Sequence, residues 1–171
     1  TDMIGQVVRI FEDEDIHHVA GRIDPRGDIE VINLELVLAD AETVEKRLGN
    51  VERDAKRGDK DAVIERDLLV RLKQHLADGL LANQLEMNED EQKAVKQLHL
   101  LTMKPFLYIC NKKHGGMNLD DQSDERWHAL LDFFDVTGAE YVVVDAGMEH
   151  ELRDLAEEEK MDFRREYGAQ D

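Results

Sequence analysis

A short apolar segment, Phe106–Cys110, constrains the fold more than any other stretch of the chain. Pro105 precedes it, and the polar sequence Asn-Lys-Lys-His follows it at residues 111–114. Aromatic and β-branched residues between such boundaries are typical of a buried strand. Because its apolar side chains would face both sides, this strand is expected in the middle of a parallel sheet. Ligands bind beyond the carboxyl ends of such strands, so Asn111 and Lys112 are candidate binding residues.

Two further segments, residues 5–11 and 141–144, have the apolar and β-branched composition of strands. A helix capped by Ser123 is expected between the central strand and the last one. Its apolar face holds Trp127, Leu130, Leu131 and Phe134. Residues 148–167 form a further helical and acidic stretch. The alternation of strands and helices predicts an α/β fold with a right-handed parallel unit.

The chain between the first and the central strand has the periodicity of long helices. From Asp28 onwards apolar residues recur at alternating steps of three and four, at Leu34, Val37, Ala41, Val44, Leu48, Val51 and Ala55. This spacing is a heptad seam. The sequence Arg57-Gly-Asp59 provides a helix stop and a new N-cap, and Leu69, Leu72 and Leu76 continue the seam to about Asp78. The short connection predicts an antiparallel helical hairpin.

A third helix is expected after the hairpin. Asn88 and Glu91 have the spacing of a capping box, and this helix should run to about Leu100.

Charge and cysteine content narrow the class of protein. The chain has 171 residues and a formal net charge of −18, which opposes contact with nucleic-acid phosphates. We expect no DNA partner, although residues 40–80, with 10 acidic and 9 basic side chains, are nearly neutral. The single cysteine, Cys110, implies a reducing and therefore cytoplasmic compartment. No apolar run reaches membrane-spanning length, so no membrane partner is expected.

The segment after the first strand contains acids and histidines. Glu12–Asp15 is a contiguous acidic run that lacks the alternation of a calcium loop, and a solvated loop is the favoured interpretation. His17 and His18 are adjacent and would point apart, so we predict no metal site. Residues 21–27, which include Pro25, predict a turn.

Seven segments resemble the YchF/Obg-like ATPase family of the P-loop GTPase class: residues 6–13, 18–25, 28–33, 34–40, 42–46, 100–105 and 108–111. The resemblance implies an α/β fold in which a partial parallel P-loop NTPase sheet is interrupted by an inserted antiparallel α-helical coiled-coil hairpin. It implies that residues 1–29 and 101–171 form the second half of the GTPase domain and residues 30–100 the inserted helical domain. The implied ligand is ATP or GTP with Mg²⁺, and the implied partner of the parent protein is the ribosome.

The resemblance includes neither the family's P-loop, Gly-x-x-x-x-Gly-Lys-Ser, nor its second-switch Asp-x-x-Gly, nor its carboxy-terminal TGS domain. The P-loop and switch are the parts expected to bind phosphates and Mg²⁺. The chain also begins at Thr1 without an initiator Met. We therefore expect it to be a fragment that does not hydrolyse nucleotide by itself.

The resemblance assigns roles to individual residues. Asn111 matches the Asn of the family's Asn-x-x-Glu loop, Lys112 a position whose backbone touches the base, and His114 the position of the Glu. Because His replaces Glu, the choice between ATP and GTP stays open. Ala146 and Gly147 occupy the Ser-Ala-Lys loop that closes on the base. His18 aligns with a histidine implicated in hydrolysis.

The alternative is a non-catalytic helical hairpin that docks on protein or RNA. It predicts a basic stripe on one face, drawn from Lys46, Arg47, Arg53, Lys56, Arg57 and Lys60. Scattered charges would favour a spacer. A stand-alone α/β protein of unrelated role is a third hypothesis, but three strands leave open sheet edges, so we expect other strands or another chain to complete the sheet.

Overall fold

The computed structural model describes residues 2–12, 23–153, 155 and 159–160. In chain order the elements are β1 (Ile4–Arg9), β2 (Phe11–Glu12), α1 (Pro25–Lys56), α2 (Lys60–Ala77), α3 (Glu89–Lys96), β3 (Phe106–Asn111), β4 (Met117–Asn118), α4 (Glu125–Thr137), β5 (Glu140–Val144) and α5 (Ala146–Leu152). Two 3₁₀ turns, Ala82–Gln84 and Leu101–Met103, flank α3.

The chain divides into two compact units. The helical unit comprises Thr1–Ile4 and Gly27–Phe106, and the sheet unit comprises Gly5–Arg26 and Leu107–Asp171. Each unit has its own set of contacts, and each is described separately below.

The main sheet has the strand order β1-β3-β5. β3 pairs in parallel with β5, with Tyr108 opposite Tyr141 and Cys110 opposite Val143. On its other side, Ile4 N donates to Pro105 O and Ile10 N to Asn111 O, both at 3.0 Å, so β1 runs in the same direction. The predicted α/β class and the central position of the Phe106 strand are confirmed.

The predicted first strand, residues 5–11, is wrong at its end. β1 stops at Arg9, and Phe11–Glu12 forms β2, which pairs antiparallel with β4 in a separate two-stranded sheet. A two-residue strand carries too little alternation for the sequence to predict it. The step from β1 to β2 turns the chain out of the main sheet.

The apolar face of α4 covers one face of the main sheet. The ring of Phe134 stacks on Tyr141 with centroids 4.6 Å apart, and Trp127 meets Tyr141 edge-on at 6.3 Å. The predicted cap at Ser123 is wrong. Ser123 has φ 48°, outside the extended range of an N-cap, and Asp124 caps the helix by accepting from Arg126 N at 2.9 Å.

In the helical unit, α1 starts at Pro25, so the predicted turn at residues 21–27 is wrong over its last three residues. Proline fits the first turn of a helix because its missing N–H needs no partner there. Gly58, with φ 86°, ends the run, and the Asp59 side chain caps α2 by accepting from Asp61 N and Ala62 N. The predicted stop is therefore confirmed.

Helices α1 and α2 share one apolar core and run antiparallel. Val37, Val44, Val51 and Ala55 pack in one cluster with Leu69, Leu72 and Leu76. Across the pair, Arg47 binds Glu65 at 2.6 Å and Lys73 binds Glu45 at 2.7 Å, so later residues of α1 meet earlier residues of α2. Leu34 departs from the predicted seam, because 51% of it is exposed.

The Asn88 capping box is confirmed: Asn88 accepts from Glu91 N at 3.0 Å and Glu91 accepts from Asn88 N at 2.9 Å. α3 nevertheless ends at Lys96 rather than near Leu100, and the chain continues into the 3₁₀ turn Leu101–Met103. That turn is held by Asp40, which is only 2% exposed and accepts from Leu101 N, Thr102 N and the Thr102 hydroxyl at 2.7, 2.7 and 2.6 Å.

Candidate functional site

The loops that leave β3 and β5 meet at the carboxyl edge of the sheet. The side-chain oxygen of Asn111 accepts from Ala146 N at 2.9 Å, and Lys112 N donates to Val144 O at 2.8 Å. The main-chain oxygen of Asn111 also accepts from Ile10 N at 3.0 Å. Asn111 therefore connects the ends of all three strands of the main sheet.

The side-chain nitrogen of Asn111 differs from the side-chain oxygen in its hydrogen bonding. Within residues 2–12, 23–153, 155 and 159–160, no protein group accepts a hydrogen bond from Asn111 Nδ2. The side chain thus uses its acceptor to hold Ala146, and its two amide donors are not used by any described residue.

Lys112 is half-buried and its ammonium group is held by carboxylates. Its Nζ lies 3.1 Å from Asp120 and 3.3 Å from Asp121. Burial alone would lower the pKa of Lys112, but the hydrogen bonds and charges of the two aspartates outweigh it and raise the pKa. Lys112 is therefore a fixed cation at this edge.

The loop between β3 and β4 is organised by Asn118, which is 3% exposed. Its side-chain oxygen accepts from Lys113 N at 2.8 Å, and its amide nitrogen donates to Lys113 O at 3.0 Å and Asp121 at 2.9 Å. The hydrogen bond from Asn118 is the largest cause that lowers the pKa of Asp121. His114 lies exposed in this loop.

The turn at Gly115 and Gly116 depends on small residues. Gly115 has φ 66°, and a Cβ on Gly116 would lie 3.0 Å from Lys113 O. The glycines therefore fix the path that places His114 on the loop.

The segment after β5 begins α5 directly. Ala146 and Gly147, expected in a loop, are the first two residues of this helix, and both are exposed. Asp145 caps the helix with one oxygen, which accepts from Met148 N at 2.9 Å. The other oxygen of Asp145 is buried without a hydrogen-bond partner among the described residues.

The structure thus brings Asn111, Lys112 and Ala146 together through direct hydrogen bonds or adjacent backbone, with Gly147 next along the chain. His114 lies on the loop that follows β3, and no contact joins it to Ala146 among the described residues. His18, with His17 and Asp13–Asp15, lies outside the described residues.

Arg126 makes several contacts that no sequence pattern indicated. Its guanidinium binds Glu12 at 2.7 Å, Ile23 O at 3.1 Å and Asp124 at 2.8 Å. The hydrogen bond to Asp124 is the largest cause that raises the pKa of Arg126, and the interaction with Glu12 raises it further. Glu12 and Ile23 are the described residues on either side of 13–22, and the Arg126 side chain contacts both of them.

Three of the six basic residues of the predicted stripe have carboxylate partners within the hairpin. Arg47 binds Glu65 at 2.6 Å, Lys56 binds Glu52 at 3.5 Å, and Arg57 binds Asp54 at 3.4 Å.

In the described part of the chain, no helix is long and apolar enough to cross a membrane. No group of three or more His, Cys, Asp or Glu side chains there is placed to hold a metal ion.

The fold and the site define the class: an α/β protein in which Asn111 joins the loop after β3 to the start of α5 at the carboxyl edge of the parallel sheet. Over 170 residues the chain is 45% identical to the ribosome-binding ATPase YchF of Bacillus subtilis, a match that covers 99% of this chain and 46% of the relative. The corresponding protein of Haemophilus ducreyi is 38% identical over 171 residues, covering 100% of this chain and 46% of the relative. No protein-family model matches the chain.

A solved structure agrees with these relatives. The YchF GTPase of Schizosaccharomyces pombe matches with a TM-score of 0.78 and 26% identity, covering 99% of this chain and 46% of that one. The chain therefore belongs to the YchF family, as the sequence resemblance indicated. It spans about half the length of the relatives that it matches.

Proposed function

We propose that the carboxyl edge of this sheet binds the base of ATP or GTP, as part of a YchF-type nucleotide hydrolase. The observation that carries the proposal is the 2.9 Å bond from Ala146 N to the Asn111 side chain. This bond fixes two loops against each other and leaves the Asn111 amide donors unpaired among the described residues. A purine ring offers nitrogen acceptors that such donors can recognise.

Individual residues take distinct roles in this proposal. Asn111 braces the loops and binds the base, Lys112 forms one wall, and the backbone of Ala146 and Gly147 forms the opposite one. His114 offers either a donor or an acceptor according to its tautomer, so it does not select between adenine and guanine by itself.

Hydrolysis would need groups that bind the phosphates. In P-loop enzymes, Mg²⁺ and the P-loop neutralise charge on the phosphates, and catalysis is chiefly positioning and charge stabilisation. The described residues have no cluster of three or more His, Cys, Asp or Glu side chains placed to hold a metal ion, so we assign Mg²⁺ to none of them. His18 remains a predicted catalytic residue. In a protein that hydrolyses nucleotide, His18→Ala is expected to slow turnover and spare nucleotide affinity; unchanged turnover would remove His18 from the mechanism.

We also propose the domain assignment and the partner. Residues 1–29 and 101–171 would be the second half of a GTPase domain, and residues 30–100 an inserted antiparallel coiled-coil domain. The division of the chain near residues 27 and 106 supports this assignment. The names of the bacterial relatives support the ribosome as partner and a cytoplasmic location.

The alternative, an RNA-docking helical hairpin, is less well supported. Three of the six basic residues on which it depends are neutralised by carboxylates of the same hairpin. The paired charges are more typical of a solvated surface.

The base-site proposal is tested by titrating the 171-residue chain with ATP and GTP in the presence of Mg²⁺, using calorimetry. We expect measurable binding of at least one nucleotide, and about a tenfold loss of affinity in Asn111→Ala because a brace and a base contact are removed. Asn50→Ala is the control, since Asn50 is exposed in α1. Binding that Asn111→Ala leaves unchanged would exclude this edge as the base site.

A further inference from the structure

The helical unit contains a cavity that the base-site proposal does not use. It lies beside α3 and the 3₁₀ turn Leu101–Met103, and its volume is about 690 Å³. Volumes of this size are typical of small-molecule sites. Its apolar lining comes from Leu85, Met87, Val95, Leu100, Met103 and Pro105.

Three lysines and a histidine line the same cavity. Lys93, Lys96, Lys104 and His99 contribute to its wall, together with the carboxylates of Asp2 and Glu89. Lys93 is paired with Asp90 at 3.0 Å. In the part of the chain that the structure describes, Lys96 and Lys104 have no carboxylate within ion-pair distance. Two unpaired lysines at one cavity are notable in a chain with a net charge of −18.

Lys104 is half-buried as a residue, but its ammonium nitrogen is not among the described side-chain atoms that are buried without a partner. The stem of a lysine can lie against an apolar wall while its charged end stays in contact with water. The ammonium group of Lys104 is therefore accessible to an anion whose apolar part lies in the cavity.

The wall that carries Lys104 is fixed before any ligand binds. Asp40 accepts from Leu101 N and Thr102 N at 2.7 Å each, and Lys104 N donates to Leu101 O at 3.2 Å. His99, which lies between α3 and this turn, has φ 52°, a backbone conformation that non-glycine residues rarely adopt. A preformed wall lowers the entropy cost of binding.

We propose that this cavity binds a small amphipathic anion, with an aryl or alkyl body and one sulfonate, carboxylate or phosphate group. The apolar body would contact Met87, Val95 and Leu100, and the anionic group would lie near Lys96 and Lys104. The two carboxylates at the wall disfavour a polyanion such as RNA. This proposal is independent of nucleotide binding at Asn111.

Two fluorescent probes of similar shape distinguish the contribution of the ligand's negative charge to binding from that of its apolar contacts. The first is 8-anilino-1-naphthalenesulfonate, and the second is N-phenyl-1-naphthylamine, which lacks the sulfonate. Titrated into the 171-residue chain, the sulfonate is expected to bind about tenfold more tightly than the neutral amine. The double variant Lys96→Gln/Lys104→Gln should abolish that difference and leave binding of the neutral probe unchanged.

The matched control is Lys46→Gln/Lys60→Gln, which removes the same charge from exposed positions of α1 and α2. Equal affinity for the two probes, or an equal loss of sulfonate binding in both double variants, would overturn the proposal. Octyl phosphate should displace the bound sulfonate. Displacement by a polyglutamate peptide but not by octyl phosphate would assign the cavity to an acidic protein segment and overturn the small-ligand proposal.

Discussion

The helical unit and the sheet unit are stabilised by different kinds of contact. In the helical unit, valine, leucine and alanine side chains at heptad spacing form one continuous core. At the carboxyl edge of the sheet unit, single polar side chains such as Asn111 and Asn118 hold whole loops through backbone groups. An apolar core spreads its free energy over many contacts, whereas each of these loops depends on one residue. The structural stability and the candidate site are therefore sensitive to different substitutions.

The largest effect is expected at Asp40, a buried carboxylate of the helical unit. Asp40→Ala removes three hydrogen bonds and leaves the part-buried amide of Leu101 and the buried amide of Thr102 without an acceptor. We expect a loss of about 4 kcal/mol in the free energy of unfolding. Urea denaturation followed by far-UV circular dichroism measures it.

Asp67→Ala is the control for this measurement, because Asp67 is exposed and pairs only with the neighbouring Arg66. Equal stability of the two variants would mean that the hydrogen bonds of Asp40 do not contribute to the stability of the helical unit. Trp127, the single tryptophan, lies in the sheet unit, so its fluorescence separates the unfolding of that unit from the loss of helix.

Asn118→Ala tests the loop-holding residue of the sheet unit. It removes the partners of Lys113 N and Lys113 O, and we expect a loss of about 2 kcal/mol. The unfolding transition of Trp127 fluorescence should report this loss. In the same variant, nucleotide binding should weaken, because His114 and Lys112 lie in the released loop. A stable variant with unchanged binding would show that the loop keeps its shape without Asn118.

A smaller effect is expected for the ion pair between α1 and α2. Arg47 donates two hydrogen bonds to Glu65, at 2.6 and 2.8 Å, but Arg47 is exposed. A double-mutant cycle with Arg47→Ala and Glu65→Ala should give a coupling of about 0.5–1 kcal/mol that decreases in high salt. A coupling several times larger would contradict the view that apolar contacts dominate this unit.

The smallest effect is the pH dependence of the loop after β3. The pKa of Asp121 is lowered in the folded protein. Its contribution to stability is therefore present at pH values above its ordinary pKa of 3.8 and is lost as the pH falls through the folded pKa. The pKa of Lys112 is raised in the folded protein. Its contribution to stability is therefore present at pH values below its ordinary pKa of 10.5 and is lost as the pH rises through the folded pKa. In His114→Gln, which removes the ionisable imidazole next to Gly115, NMR shifts of the Gly115 and Gly116 amides should therefore stay constant between these limits and change outside them, with Gly79 as a control. A transition near neutral pH would contradict this assignment.

The sequence alone determined the elements whose signals repeat along the chain. The heptad spacing gave the buried faces of α1 and α2, and the apolar run before Asn111 gave the central strand. Periodicity specifies a face but not its neighbours, which is why Leu34 belongs to the pattern yet remains exposed. Asn111, Lys112, Ala146 and Gly147 were predicted because they follow strands and resemble a family pattern.

Only the tertiary structure decided the contacts between residues far apart in sequence. Asp40 binds an amide 62 positions away, and Arg126 binds Glu12 at a separation of 114. The strands β2 and β4 stabilise each other and have no signal of their own. A local pattern carries no information about such partners, because a polar side chain in a sequence looks the same whether water or a buried amide satisfies it. The repeated apolar residues specified the elements, and single polar residues specified how their ends are held.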